Sequence, residues 1–149
     1  MILLIDIGNS LTKYAQLIEG ELSTAAQLNN NDFTVNYFDE YFSKFSKIIV
    51  ANVANSTLTD ELSTWCVKHN ISFTQVHSEQ QKNTLISAYQ QPTTLGIDRW
   101  LALLGAISLY PNENVLIIDA GTATTVDLLS HNGQHQGGWI LAGIKALFT

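Results

Sequence analysis

Apolar and polar positions fall into readable blocks along this chain. Residues 1–7 are an apolar run interrupted by Asp6, the pattern of a buried strand. Residues 11–18 alternate as a second strand, and Glu19-Gly20 turns the chain into a third around 21–28. Asn29-Asn30-Asn31-Asp32 reads as a loop capping an amphipathic stretch at 33–45, and 47–53 is another buried strand. Ser56 or Thr57 caps a helix running to about His69, with Leu58, Leu62, Trp65 and Cys66 on one face. A short strand at 71–76 leads into a polar loop at 78–83 and an extended segment at 85–89. Pro92 excludes regular helix across 90–95. Residues 97–110 predict a helix with Trp100, Leu101, Leu104 and Ile107 inward, broken by Pro111-Asn112-Glu113-Asn114. After a strand at 115–120, Asn132-Gly133 marks a hairpin between 125–129 and 134–140. A helix begins at 143–148.

One short pattern occurs twice. Ile5-Asp6-Ile7-Gly8-Asn9-Ser10 and Ile118-Asp119-Ala120-Gly121-Thr122-Ala123 each place an Asp at a strand end, then a Gly, then a small polar residue. Asp at such a point can hold a hydrated cation. Gly lets the backbone approach a ligand, and the Asn, Ser or Thr adds hydrogen bonds beside unpaired N–H groups. Either copy alone reads as an ordinary turn. Two copies, one per lobe, are how a two-lobed cleft grips ATP–Mg²⁺ from both sides. The order of elements, followed by a restart of the hairpin, predicts an α/β lobe over 1–113 and the start of its pseudo-repeat over 114–149.

Composition narrows the field. Of 149 residues, 46% are apolar and 13% charged, enough apolar surface for a folded core. A net charge of −6 argues against a nucleic-acid partner, which needs a basic face. The start of the chain lacks a basic leader, and no apolar run is long enough for a bilayer, so a cytoplasmic protein with no membrane partner is expected. The single cysteine, Cys66, fits a reducing compartment and reads as inert core. His69, His77, His131 and His135 lack metal-ligand spacing and read as surface or structural. The P-loop and nucleophile-elbow motifs are both missing from the sequence.

Four motifs stand in order: Asp6-Ile7-Gly8-Asn9-Ser10; Tyr89 followed by Leu95-Gly96-Ile97-Asp98-Arg99-Trp100; Asp119-Ala120-Gly121-Thr122-Ala123-Thr124; and Gly137-Gly138-Trp139-Ile140. This set resembles the type III pantothenate kinases of the acetate and sugar kinase/Hsp70/actin superfamily. Gly-x-Asp-Arg-Trp between two Asp-x-Gly turns is its most specific part. The resemblance implies a ribonuclease H-like, actin-type ATPase lobe, a mixed sheet with flanking helices. It also implies transfer of the ATP γ-phosphoryl group to the primary hydroxyl of pantothenate, the first step of coenzyme A synthesis, with Mg²⁺ and a monovalent cation (K⁺ or NH₄⁺), by a homodimer.

Carried over residue by residue, Asp6, Ile7, Gly8, Asn9, Ser10, Leu11, Thr12 and Lys13 would form the first phosphate loop, with Asp6 on the Mg²⁺–phosphate unit. Tyr89, Gly96, Ile97, Asp98 and Arg99 would contact pantothenate, with Asp98 as proton acceptor and Arg99 forked onto the substrate carboxylate. Asp119 would hold the monovalent cation beside the subunit contact, and Thr122 would meet ATP phosphate. Two features depart from the family. Ala142 stands where its closing Gly-Gly-x-Ile-x-Pro-Gly has proline, and its second lobe continues well beyond Thr149, so a truncated chain of poor activity is expected.

On residue logic alone, Asp98 reads as a first-turn acid complementing the helix dipole, with Arg99 its solvated partner. Lys13 reads as exposed or as an ATP contact, Tyr89 as a half-buried aromatic or a substrate contact, and Trp100 as packing. Two other functions stay open: another small-molecule kinase of the superfamily, and a non-catalytic accessory protein that keeps a nucleotide-binding lobe.

Overall fold

The computed structural model describes residues 1–54, 56–121 and 123–143. Packing divides the chain into two units, Met1–Val76 and a second that begins at His77.

The first unit is built on β1 (Ile2–Ile7), whose neighbours are β2 (Leu11–Ile18), antiparallel, and β5 (Lys47–Asn52), parallel. Two short strands, β3 (Glu21–Leu22) and β4 (Ala26–Asn29), both pair with β2. They replace the single third strand expected at 21–28. Between them the Gln16 N–H donates to Ser23 Oγ (3.0 Å), which takes a backbone ladder position. Helix α1 (Val35–Tyr41) follows a 3-10 turn at Asn30–Asp32, and α2 (Thr57–Lys68) leads into β6 (Ser72–Gln75), parallel to β5. The sheet order is therefore β3-β2-β1-β5-β6, a mixed sheet with helices against it.

Strand alternation sorts the first unit. Leu3, Ile5 and Ile7 of β1 point into a core shared with Ile48 and Val50 of β5. Phe38 of α1, and Leu62, Trp65 and Cys66 of α2, close that core, as the α2 face predicts. The expected amphipathic stretch at 33–45 is helical only over its middle, yet Phe33, Phe42 and Phe45 are buried from irregular backbone on either side. Glu19 (φ 51°) and Gly20 (φ 89°) are both left-handed, the geometry that lets a two-residue turn follow the twist of β2 and β3.

The second unit opens with a small hairpin, β7 (Gln81–Lys82) and β8 (Leu85–Ile86), and a 3-10 turn at Pro92–Thr94. Helix α3 (Ile97–Leu109) follows and stops just before Pro111. Then β9 (Val115–Ala120), β10 (Ala123–Leu129) and β11 (His135–Ala142) form an antiparallel meander. The Asn132-Gly133 turn joins the last two, with Gly133 at φ 84°. Packing of α3 on β9 and β10 joins the helix before Pro111 to the strands after it. The inward face of α3 differs from expectation. Trp100 and Leu103 are fully buried and Ala106 nearly so, while Leu104 and Ile107 are half-buried and Leu101 is 38% exposed. The face turns because Arg99 is itself buried. The helix expected at 143–148 lies outside the described residues apart from Gly143.

Candidate active site

In the first unit, the Asp-x-Gly turn is closed by the Gly8 N–H donating to the Leu11 carbonyl at 3.0 Å. A Cβ on Gly8 would press on that same oxygen, so the close turn needs glycine there. Asp6, Asn9, Ser10, Leu11 and Lys13 are exposed around the turn. Ile7 and Thr12 are cross-strand neighbours on the inward face, both fully buried.

Asn30, in the loop expected to cap the stretch at 33–45, braces this turn. Its Nδ2 donates to the Gly8 carbonyl (2.8 Å), its Oδ1 accepts from Thr12 Oγ1 (2.9 Å), and its N–H donates to the Ser10 carbonyl (3.1 Å). The result is an open polar hollow lined by Asn9, Ser10, Asn29, Asn30, Asn31 and Asp32. The carboxylate in that lining is Asp32, and Asp6 stands exposed at the strand end nearby in the chain.

In the second unit, Asp98 stands in the first turn of α3, after Gly96, and is exposed. Its Oδ1 accepts the Arg99 N–H at 2.8 Å. The helix start thus holds the carboxylate at the positive end of the dipole, where a negative charge is favoured. Ile97 is buried beneath it.

Arg99 departs most from expectation. The solvated or substrate-paired arginine is 5% exposed, and its fork lies on Asp127 of β10: Nε to Oδ2 at 2.8 Å and Nη2 to Oδ1 at 2.6 Å. Its Nη1 donates to the Tyr89 hydroxyl at 3.2 Å. Asp127's hydrogen bonds hold the guanidinium above its ordinary pKa against the opposing pull of burial, and Tyr89 adds to the effect. His135 is buried too, with Nε2 at 2.8 Å from Asp127 Oδ1 and its ring stacked on Tyr89. The structural reading of His135 therefore holds, and the surface reading falls.

Asp127 was missed because a single Asp inside the apolar run Val126-Asp127-Leu128-Leu129 carries no motif. The available signal was Gly137-Gly138 on the neighbouring strand. Gly138 lies opposite Asp127 in the ladder, and any side chain there would run into the carboxylate and Arg99. Glycines inside a strand mark such close approaches.

The second turn mirrors the first with one residue fewer between paired positions. Asp6 faces Lys13, whereas Asp119 faces Thr125. Asp119 is exposed at the end of β9, and the Gly121 N–H donates to the Ala123 carbonyl at 2.9 Å. Thr122 lies outside the described residues. Among the described residues no helix is long and apolar enough to cross a membrane.

Comparison with known proteins agrees with this fold. A Campylobacter jejuni protein described as a Baf family transcriptional activator is 31% identical, with a TM-score of 0.57 over 97% of this chain and 56% of its own. A Sinorhizobium meliloti protein described as a 2-dehydro-3-deoxygalactonokinase, 12% identical, has a TM-score of 0.56 over 94% of this chain and 53% of its own. The latter places the chain in the actin-type ATPase and sugar kinase fold. Among curated relatives, the type III pantothenate kinase of Colwellia psychrerythraea is 76% identical over all 149 residues, and that of Pseudoalteromonas translucida 39% over 147. The chain spans 60% and 58% of the length of these two relatives. The family model described as type III pantothenate kinase matches residues 2–149, and the chain belongs to that family.

Proposed function

We propose that this chain carries the ATP- and pantothenate-binding part of a pantothenate kinase. The observation that supports it most is the start of α3, where an exposed Asp98 sits beside a buried, anchored Arg99 inside the Gly96–Trp100 motif of the family. The hairpin of β9 and β10 would be the first of a second lobe beginning near residue 114.

Asp98 accepts the proton of the pantothenate primary hydroxyl as that oxygen attacks the γ-phosphorus. The bond from the γ-phosphorus to its bridging oxygen breaks, and ADP leaves. Asp6, with the N–H groups of the Gly8–Ser10 turn, orients the phosphate chain, while Lys13 and Thr122 add contacts to it. Asp6 would hold Mg²⁺, which would neutralise phosphate charge, and Asp119 would hold K⁺ or NH₄⁺, which would supply fixed positive charge near the subunit contact of a homodimer. Tyr89, Gly96 and Ile97 line the pantothenate side.

A second reading comes from the likeness to the Campylobacter protein described as a transcriptional activator, namely a non-catalytic protein that keeps the nucleotide-binding hairpins. One assay separates the two: ADP release with and without pantothenate, on this chain and on the longest product of its gene. The kinase reading expects pantothenate-dependent ADP release from the longest product. Binding of ATP without such turnover would favour the accessory reading.

A further inference from the structure

We propose that Asp127 and His135 are positioning residues that set the geometry of the substrate loop, Asp127 through Arg99 and His135 through Tyr89. The inference rests on the kinase reading for its functional consequence and on geometry for the tether itself.

The N-cap position of α3 supplies no side chain, and in the first turn the Asp98 carboxylate takes the Arg99 N–H. Gly96 occupies the N-cap and makes no side-chain cap bond. The tether of this helix end is instead the Arg99 side chain, which crosses to β10 and closes two parallel bonds on Asp127. A bidentate fork fixes orientation as well as distance, and Asp98 is the residue next to it in the chain. Where Arg99 is held, the Asp98 backbone is held.

Asp127 Oδ1, which accepts from Arg99 Nη2, is also bonded to His135 Nε2. The Ala88 N–H lies 3.5 Å from His135 Nδ1, so Nδ1 accepts and Nε2 carries the proton given to Asp127. The same imidazole stacks on Tyr89 with ring centroids 6.0 Å apart and planes 12° apart. Tyr89 also meets Arg99 through its hydroxyl and beneath the guanidinium. One buried carboxylate thus orders two of the residues expected on pantothenate, Asp98 from the helix side and Tyr89 from the loop side. Of the five N–H donors of Arg99, Asp127 takes two and Tyr89 a third.

The cluster is closed. Arg99, Asp127 and His135 are 5%, 2% and 1% exposed, and no buried side-chain nitrogen or oxygen among the described residues lacks a partner. Gly138 leaves the room that the cluster needs. A fully satisfied buried network of this kind rigidifies and specifies one arrangement.

The test uses the full-length product of the gene and three variants: His135→Leu, His135→Gln and Asp127→Asn. Kinetics are read for both substrates, and amide hydrogen exchange is read across 96–100. Losing one hydrogen bond to a charged group corresponds to about tenfold or more. His135→Leu is expected to raise the KM for pantothenate and lower kcat, about tenfold in kcat/KM, with the KM for ATP unchanged. Exchange across 96–100 should quicken while the β1–β2 hairpin keeps its protection. His135→Gln, whose amide can still donate to Asp127, should recover most of the loss. Asp127→Asn removes the charge partner of Arg99, and the His135 pair decides the matter if that variant fails to fold. A folded His135→Leu protein with unchanged pantothenate kinetics and unchanged exchange overturns the inference while leaving the kinase reading intact. A wild-type protein without pantothenate-dependent turnover overturns that reading and the substrate role assigned here, and unchanged exchange in folded His135→Leu would then sink the tether as well.

Discussion

Asp6 and Lys13 face each other directly across the β1–β2 ladder, on either side of the Gly8–Ser10 turn. Both side chains are exposed, so an anionic phosphate chain at the turn meets a carboxylate on one strand and an ammonium on the other. The carboxylate can act favourably on phosphate only through a cation. Asp6→Asn is therefore expected to weaken Mg²⁺-dependent ATP binding with little change in thermal stability, because Asp6 points away from the core formed by Leu3, Ile5 and Ile7. Titrating ATP binding at several Mg²⁺ concentrations checks this. A variant with the parent's metal dependence would remove Asp6 from the phosphate site.

Local chemistry made much of this fold legible. The Asp-x-Gly turns follow apolar strands, Asn132-Gly133 sits between alternating runs, and Pro111 closes α3, so each boundary carries its own residue signal. What escaped was long-range pairing. A linear pattern sends a charged residue outward, and Arg99 was placed in solvent or on substrate. Its partner Asp127 lies 28 residues away on strand β10. With Arg99 buried, the inward face of α3 rotates onto Leu103 and Ala106 and leaves Leu101 exposed. Asn30 escaped for the same reason: its three bonds to the Gly8–Thr12 turn link segments that the sequence does not join.

Asp98→Asn keeps the shape of the side chain and its acceptor for the Arg99 N–H, yet cannot take a proton. In the full-length product, kcat is expected to fall by about 10²–10⁴-fold with pantothenate affinity largely kept. Steady-state rates and calorimetric binding on the same preparation separate the two quantities. Turnover close to the parent's would return Asp98 to the role of a first-turn helix acid.

Asn30 offers a separate handle on the nucleotide side. Asn30→Ala deletes the bonds to the Gly8 carbonyl and the Thr12 hydroxyl, and the turn loses the brace that fixes its N–H groups. If the equivalent of one hydrogen bond, about 1 kcal/mol, is felt by the ligand, ATP affinity drops about fivefold. Pantothenate affinity should not move, since Asn30 and the pantothenate loop belong to different packing units. Equal losses for both ligands would show a general destabilisation instead.

Cys66 is fully buried on α2, and burial pushes its thiol up to about 11. The thiolate is the reactive form, and at pH 8 only about one thiol in a thousand is ionised under such a shift. An aromatic disulfide reagent at pH 8 should therefore label the native chain slowly and the denatured chain at once. Stoichiometric labelling within minutes of a chain that keeps its native circular dichroism would contradict this burial.

Gly138→Ala tests the close packing around the Arg99–Asp127 pair from the third strand. A Cβ at this position would collide with Asp127 Oδ1, the Val126 carbonyl and Arg99 Nη2. Two of these are the fork itself and the third is backbone, so none is a flexible side-chain end that can swing away. Forcing one methyl group into such a site costs about 1–3 kcal/mol, which for a unit of this size lowers the melting temperature by several degrees. Gly137 is the control, because a Cβ there meets nothing within 4 Å and its penalty comes only from φ 102°. Gly137→Ala should therefore lower the melting temperature without the loss of pantothenate kcat/KM that Gly138→Ala produces by splaying the fork. Thermal melts and pantothenate kinetics on both variants check the pair. Equal kinetic effects from the two would mean that strand strain, and not the Arg99–Asp127 contact, is what Gly138 protects.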